Sequence, residues 1–341
     1  MADTKRASRF WIAAPFALAA LLVAGWTGYW FFAKGQLERG IDAWIAQERA
    51  RGAVVEFSEK RLSGYPFRFV LDVTAPVYGQ AAPGPRWQGD ALQLIMQPWN
   101  YSHVMARAPG RNTLFLSPET TDTVQLVLGR KSAASLSWRG AQFTRFSLVL
   151  DEASLLAAGA PVGETESLEL HLRQVPSDLD MLQLETHWQA VRLAEPLPGD
   201  GALLGQSIGP SILRAELDEG MTALATLSDP SDLIAEALRL GGALNVPQIL
   251  VEWGPASLGA RASLSAPGGE VRGTAGIRID RAEALRGAIA GTNLDTEEAQ
   301  QALTALEAAS QDGGFFSVSL RGDGIYFLGR KQVDLPIGAY L

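Results

Sequence analysis

No charged residue occurs between Phe10 and Ala33, an uninterrupted run of 24 residues. A helix needs roughly 20 apolar residues to cross a bilayer, so this stretch predicts a membrane span and commits everything after it to one side. The run closes on Trp26, Tyr29, Trp30, Phe31 and Phe32, the aromatic residues favoured at a membrane-water boundary. Lys5, Arg6 and Arg9 precede it, opposed only by Asp3. That asymmetry predicts residues 1–9 in the cytoplasm, 10–33 as a transmembrane anchor and the rest outside the cytoplasm. A cleaved signal peptide is the competing reading, because Ala17-Leu18-Ala19 fits a small-x-small site. The apolar run continues well past it and exceeds the usual h-region of roughly 7–15 residues, which favours an uncleaved anchor. Pro15 is compatible with a membrane helix.

The exported part is acidic. The whole chain carries −8 and the first 33 residues +2, which leaves −10 on the remainder. With no clustered Lys/Arg face, nucleic acid is not an expected partner. There are no cysteines, so disulfides, thiolate metal sites and cysteine nucleophiles are excluded. Stability must come from a core, which about 300 residues can build.

Residues 34–51 read as an amphipathic helix. Leu37, Ile41, Trp44, Ile45 and Glu48 fall at helical spacing, with only the last polar, so the stripe is expected to pack on the exported domain. A helix lying on the membrane surface is the alternative.

After Gly52 the period becomes two. Ser135–Trp138, Leu168–Arg173, Val271–Ile279 and Phe316–Arg321 alternate apolar with polar or small residues. This is the mark of antiparallel strands with one covered face. Turn-rich breaks at Ala82–Pro85, Pro196–Gly201, Ala266–Gly269 and Gly322–Gly324 separate them. Helices are expected at Pro230–Leu240, at Asp280–Ala290 and at Asp295–Ser310, where Asp295 and Glu298 stand at capping-box spacing. The sum is an α+β fold, predominantly antiparallel sheet with a few interposed helices, forming one β-rich domain over 52–341. Trp87-Gln88-Gly89, Trp138-Arg139-Gly140 and Trp253-Gly254 echo one another. Their spacing is too irregular for a repeat, and they are read as anchors of a long sheet and its edges.

The candidates for chemistry fail one by one. Gly205-Gln206-Ser207-Ile208-Gly209 matches G-x-S-x-G, but that motif needs a buried strand before it, a helix after it and a later histidine. A turn precedes it, Pro210 follows, and His103, His171 and His187 all come earlier. His171 and His187, with Glu169 and Glu185, could meet across a hairpin and hold a metal. In strands each Glu shares a face with its His, so the simpler reading is a solvent face. Gly199-Asp200-Gly201 lacks the lysine of a phosphate loop. Asp178 and Asp180 read as a solvated turn pair, and Asn100-Tyr101-Ser102 matches a glycosylation acceptor. No catalytic, cofactor-binding or metal residue is expected, and no cofactor.

The segment Arg61–Asp72, RLSGYPFRFVLD, is the most unusual local text. Ser63-Gly64 permits a turn, and Pro66 restricts Tyr65 to extended backbone. Phe67, Phe69 and Leu71 are then expected on one strand face, opposite Arg68, Val70 and Asp72, seeding a core beside the anchor. Anchor, amphipathic helix and Ser63-Gly64-Tyr65-Pro66-Phe67-Arg68-Phe69 together resemble the start of the domain-of-unknown-function 2125 (DUF2125) family. Leu71–Val77, the segment from Trp87-Gln88-Gly89 to Pro98-Trp99, and that from Asp323-Gly324 to Leu335-Pro336 are also similar to it. The resemblance implies a membrane-anchored, β-rich bacterial envelope protein and carries no reaction with it. The expectation is a single-pass inner-membrane protein with a non-catalytic periplasmic domain that binds lipid or another envelope component on an apolar sheet face. A scaffold for another envelope protein is the second reading. An enzyme whose carboxylates converge only in the fold is the third.

Overall fold

The computed structural model describes residues 9–80, 85–115, 123–140, 142–197, 199–227, 232–290, 292, 295–311, 314–322, 324–327 and 330–334. The predicted cytoplasmic residues 1–8 and Leu335-Pro336 lie outside them. The anchor and the amphipathic stretch are one helix, α1 (Arg9–Ala50), that passes through Pro15 and Gly35 without a break. Its first part, Phe16 to Val23, exposes its large side chains. Further along, Trp30, Ala33 and Ile45 are buried against the sheet, so the span and its docking stripe overlap by a turn. Leu37 and Ile41 join that packed stripe, and Trp44 stacks on Tyr78 with ring centres 5.8 Å apart. Asp42 is ion-paired to Lys60.

The sheet is a long antiparallel meander. Its first five strands are each broken in two: β1 (Ala53–Glu56) with β2 (Glu59–Ser63), β3 (Phe69–Thr74) with β4 (Val77–Gln80), β5 (Arg86–Gly89) with β6 (Ala91–Gln97), β7 (Asn100–Arg107) with β8 (Gly110–Phe115), and β9 (Thr123–Leu128) with β10 (Ala133–Arg139). Three long strands follow, β11 (Gln142–Ala157), β12 (Ala160–Val175) and β13 (Asp178–Leu193), each 16 residues and therefore about 50 Å long. The meander continues through β14 (Ser207–Ile208) and β15 (Ser211–Leu217), then β16 (Ala243–Trp253), β17 (Ala256–Ser265), β18 (Arg272–Ile279), β19 (Phe316–Arg321), β20 (Gly324–Phe327) and β21 (Arg330–Asp334). The two halves of each broken strand pair with the two halves of the next, so β3 meets β2 and β6 while β4 meets β1 and β5. β11 closes both rows, taking β10 along its first half and β9 along its second.

The breaks lie side by side. Ala75 N–H donates to Asp90 O at 3.0 Å, and Asp90 N–H donates to Arg111 O at 3.1 Å. Gly129 N–H reaches Asp151 O at 3.0 Å, and Asp151 N–H reaches Ser132 Oγ at 2.8 Å. The line continues through Glu152 and Ala190, both left-handed (φ 51° and 48°), to Gly209, whose N–H donates to Glu252 O at 2.7 Å. Each break is a bulge-like irregularity that bends and twists its strand. Aligned, they form one crease across the sheet, and at Gly129 a side chain would run into the Asp151 carbonyl.

Helices sit in the crossings between later strands. α2 (Gly220–Thr226) and α3 (Leu233–Arg239) follow β15, and α4 (Ala282–Ile289) and α5 (Glu297–Ser310) follow β18. The last three match the expected helices within a few residues, with 230–231 outside the described residues. The side chain of Glu298, one half of the expected capping box, lies outside the described residues. Thr296 is the N-cap of α5, and its side chain accepts from Ala299 N–H at 3.2 Å, one residue later than Asp295. α2 has no counterpart in the sequence expectations: seven residues beginning at a glycine show little helical periodicity.

Candidate functional site

The register puts one face of the meander almost wholly in apolar side chains. Starting under α1, Leu62 pairs with Leu71, Leu71 with Leu94, and Leu94 with Ala106. Ala106 pairs with Ala134 and Ala134 with Leu148. The row runs on through Leu170 to Thr186, Leu213, Ile249, Ala260 and Ile277. Ile277 meets Phe316 on β19. Thr186 is the polar member of this row, and its buried hydroxyl has no hydrogen-bond partner.

Helices close this face at three places only among the described residues. α1 covers Leu62, Phe69 and Leu71. α2 and α3 cover Leu182 and Leu217, with Leu172, Leu244 and Phe143 at the margin. α4 and α5 cover Ile279. Those clusters do not take in Phe146, Leu148, Leu168, Leu170, Leu213 or Ile249, all half-buried. The middle of the apolar face is therefore lined by side chains that stand across from one another in register and carry none of the described helices.

The opposite face is polar and internally paired. Glu169 lies across from His187 and His171 across from Glu185, the expected hairpin register. Each histidine bonds to the glutamate of its own strand: His171 Nε2 to Glu169 Oε2 at 3.3 Å and His187 Nε2 to Glu185 Oε1 at 2.8 Å. Arg214 donates to the same Glu185 oxygen at 3.1 Å. The His187 hydrogen bond, with Arg214 behind it and burial opposing, holds Glu185 below its ordinary carboxylate range. A cleft of about 650 Å³ opens on this face over Arg173, Glu185, Arg214 and Arg278. Its arginines have partners: Arg173 donates to the neutral amide oxygen Gln183 Oε1 at 2.8 Å, and Arg278 pairs with Asp280 at 2.8 Å. No three His, Cys, Asp or Glu residues converge among the described residues, and His103 stands apart on β7.

The remaining sequence candidates take structural places. Ser207 is exposed in the two-residue strand β14 and follows a 3-10 turn, Gly199–Leu204, that includes Gly199 and Gly201. Gly205 is left-handed (φ 69°), and its carbonyl accepts from Trp253 Nε1 at 3.2 Å. Neither the strand nor the helix of a nucleophile elbow is there. Asp180 is not a solvated turn residue. It is the third residue of β13 and accepts from Thr222 N–H at 2.8 Å and Thr222 Oγ at 2.9 Å, which secures the start of α2. Burial raises its pKa, but the Thr222 hydrogen bonds outweigh it and hold Asp180 low, while Glu219 beside it is pushed up by sharing that carboxylate. Asn100 Oδ1 accepts from Ser102 N–H and Oγ–H at 3.2 and 2.8 Å, inside the strand. Trp87, Trp138 and Trp253 lie on interior strands, each with a partner on both sides or at a strand end, and not on the sheet's outer edges.

The Arg61–Asp72 corner differs from expectation at Phe67 and Arg68, which precede the strand. Gly64 is left-handed (φ 107°), the Tyr65–Pro66 bond is cis, and Arg68 N–H closes the turn on Gly64 O at 3.1 Å. Phe67 stays in the turn and faces outward, so β3 begins only at Phe69. Phe69 and Leu71 do seed a core: Phe69 lies against Trp30 with ring centres 5.4 Å apart. A second turn, Pro98-Trp99, meets the same helix, where Tyr29 OH donates to Pro98 O at 2.7 Å and contacts Tyr101 OH at 2.6 Å. Burial, then the Tyr29 contact, pushes the Tyr101 phenol up to about 12.

Fold and surface together define a class: a long, creased antiparallel meander docked on one N-terminal helix that is long and apolar enough to cross a membrane. The chain belongs to the family described as "Uncharacterized protein conserved in bacteria (DUF2125)", which matches residues 30–329. The match begins at Trp30, the first of the buried α1 residues Trp30, Ala33 and Ile45. No curated protein and no solved structure matches the chain.

Proposed function

We propose that the protein is a single-pass inner-membrane protein of bacteria whose meander lies in the periplasm and holds lipid acyl chains on the open part of its apolar face, without catalysis. The observation that carries this reading is the middle of that face, which none of the described helices covers. Half-buried Leu148, Leu170, Leu213 and Ile249 form a row with no charged member. Apolar surface of this kind is stabilised by an apolar occupant at roughly 25 cal/mol per Å² removed from water. The row is continuous with the cluster under α1, so one end of the face stands beside the membrane span. Lys5, Arg6 and Arg9 ahead of the span support a cytoplasmic N-terminus. On the polar face His171 is engaged with Glu169, and His187 and Arg214 with Glu185, which supports binding over chemistry.

The test uses the full chain in its own membrane. Leu170 is replaced by a benzophenone-bearing amino acid, and Arg145 on the polar face serves as control. Irradiation is expected to yield a phospholipid adduct at position 170 and none at 145, read by mass spectrometry. Equal labelling at both positions, or none at 170, overturns the lipid reading. A protein adduct at 170 establishes the scaffold reading in its place.

A further inference from the structure

The two turns that clamp α1 carry exposed rings that the core does not use. Phe67 is 68% exposed and Trp99 55%, on either side of the helix contact. Both turns are tied to α1 within one helical turn. Trp26 Nε1 donates to Pro66 O at 3.0 Å, Thr27 Oγ1 meets Tyr65 OH at 2.8 Å, and Tyr29 OH donates to Pro98 O at 2.7 Å. Ring contacts reinforce the tie: Trp26 lies 5.9 Å from Trp99 and Phe31 5.8 Å from Tyr65. The height of Phe67 and Trp99 along the helix is therefore set by Trp26–Phe31.

The same stretch marks where α1 leaves the bilayer. Phe10 to Tyr29 is roughly 20 residues, or about 30 Å of helix, which matches the hydrocarbon thickness. Trp30, one residue on, is 2% exposed and inside the domain. A ring at this boundary has lipid on one side and headgroups on the other, the place where Trp and Tyr accumulate. Arg68, exposed next to Phe67, puts a cation at headgroup level. In water two such rings on hydrogen-bonded turns would be costly surface.

We infer that these two turns are a membrane seat: Phe67 and Trp99 enter the interfacial layer of the leaflet from which α1 emerges, and hold the sheet at a fixed height on the bilayer. The partner is the lipid surface itself. The seat rests on α1 spanning the membrane and is independent of whether the sheet face binds acyl chains.

The chain has no cysteine, so single-cysteine variants carry one spin label each. Full-length Phe67→Cys, Trp99→Cys, Leu179→Cys and Leu21→Cys are labelled and reconstituted in vesicles of phosphatidylethanolamine and phosphatidylglycerol. Collision rates with oxygen and with a water-soluble nickel chelate then report depth. Leu179 is as exposed as Phe67, at 65%, but sits in the β12–β13 hairpin. Labels at 67 and 99 are expected to collide with oxygen several-fold more, and with the chelate several-fold less, than the label at 179. Nickel accessibility at 67 and 99 equal to that at 179 overturns the seat. Shielding of both labels from oxygen as well as chelate means a protein covers them, and also overturns it. The Leu21 label separates the premises. If it reads as lipid while 67 and 99 read as water, only the seat fails. If it reads as water, the span itself fails.

Discussion

Leu71 and Leu170 hold comparable places in the same sheet. Leu71 has a leucine across from it on either side, Leu62 and Leu94; Leu170 has Leu148 and Thr186. Leu71 is buried and Leu170 is half-buried. β3 buries Phe69, Val70 and Leu71 in succession whereas Leu168–Arg173 of β12 alternates. On the shared face the difference lies in what packs on top: Trp30, Leu37 and Ile41 of α1 at one end, and none of the described helices over the middle. A strand pattern states which residues share a face, while burial of that face depends on an element that can be far away in the chain.

The sharpest break in this comparison removes the helix's contribution. Trp30→Ala takes a fully buried ring out of the cluster that joins α1 to the sheet, and should cost about 3–5 kcal/mol. Urea unfolding of the full chain in nanodiscs, followed by loss of β-signal, measures it; a change under about 1 kcal/mol would show that the α1 cluster does not hold the domain together.

A paired substitution sharpens the contrast. Leu71→Ala is expected to cost about 2–5 kcal/mol, through both lost burial and the cavity left behind. Leu170→Ala should cost on the order of 1 kcal/mol, because its side chain is already partly open and leaves no closed cavity. The same unfolding measurement decides it, and equal losses would mean that the middle of the face is as tightly covered as the end.

The smallest effect lies on the polar face. Glu185 is held low by His187 and Arg214. A lowered carboxyl pKa means that the unfolded chain binds more protons, so this contribution is present above the ordinary value of 4.5 and fades as pH falls through the lower folded value. Glu185→Gln should flatten the stability-pH curve below 4.5 and leave its slope near neutrality unchanged. An unchanged acid slope would show that this carboxylate is not differentially protonated on folding.

Some of the molecule was open to reading from residues in a row. The uncharged run Phe10–Ala33 names a helix that can span a membrane, because no local alternative satisfies its backbone in lipid. The stripe Leu37, Ile41 and Ile45 names a docking face, and alternation at Leu168–Arg173 names a strand with His171 and Glu169 on its polar side. Even the core of the Phe69–Leu71 corner follows from period two. The failures are of one kind. Phe67 was assigned to the strand face, yet it belongs to a turn bound by Trp26, some forty residues earlier. Asp180 looked solvated, yet it holds the start of α2 through Thr222. The crease was invisible because Ala75, Asp90, Gly129, Glu152 and Ala190 share no motif. They are brought abreast only by strand register, and register is a sum over many cross-strand pairs. Local sequence thus determined a helix long and apolar enough to cross a membrane, the period of the main elements and the side on which most of their residues fall. Only the tertiary structure decided which part of the apolar face a helix covers, because that depends on contacts between segments that no local pattern links.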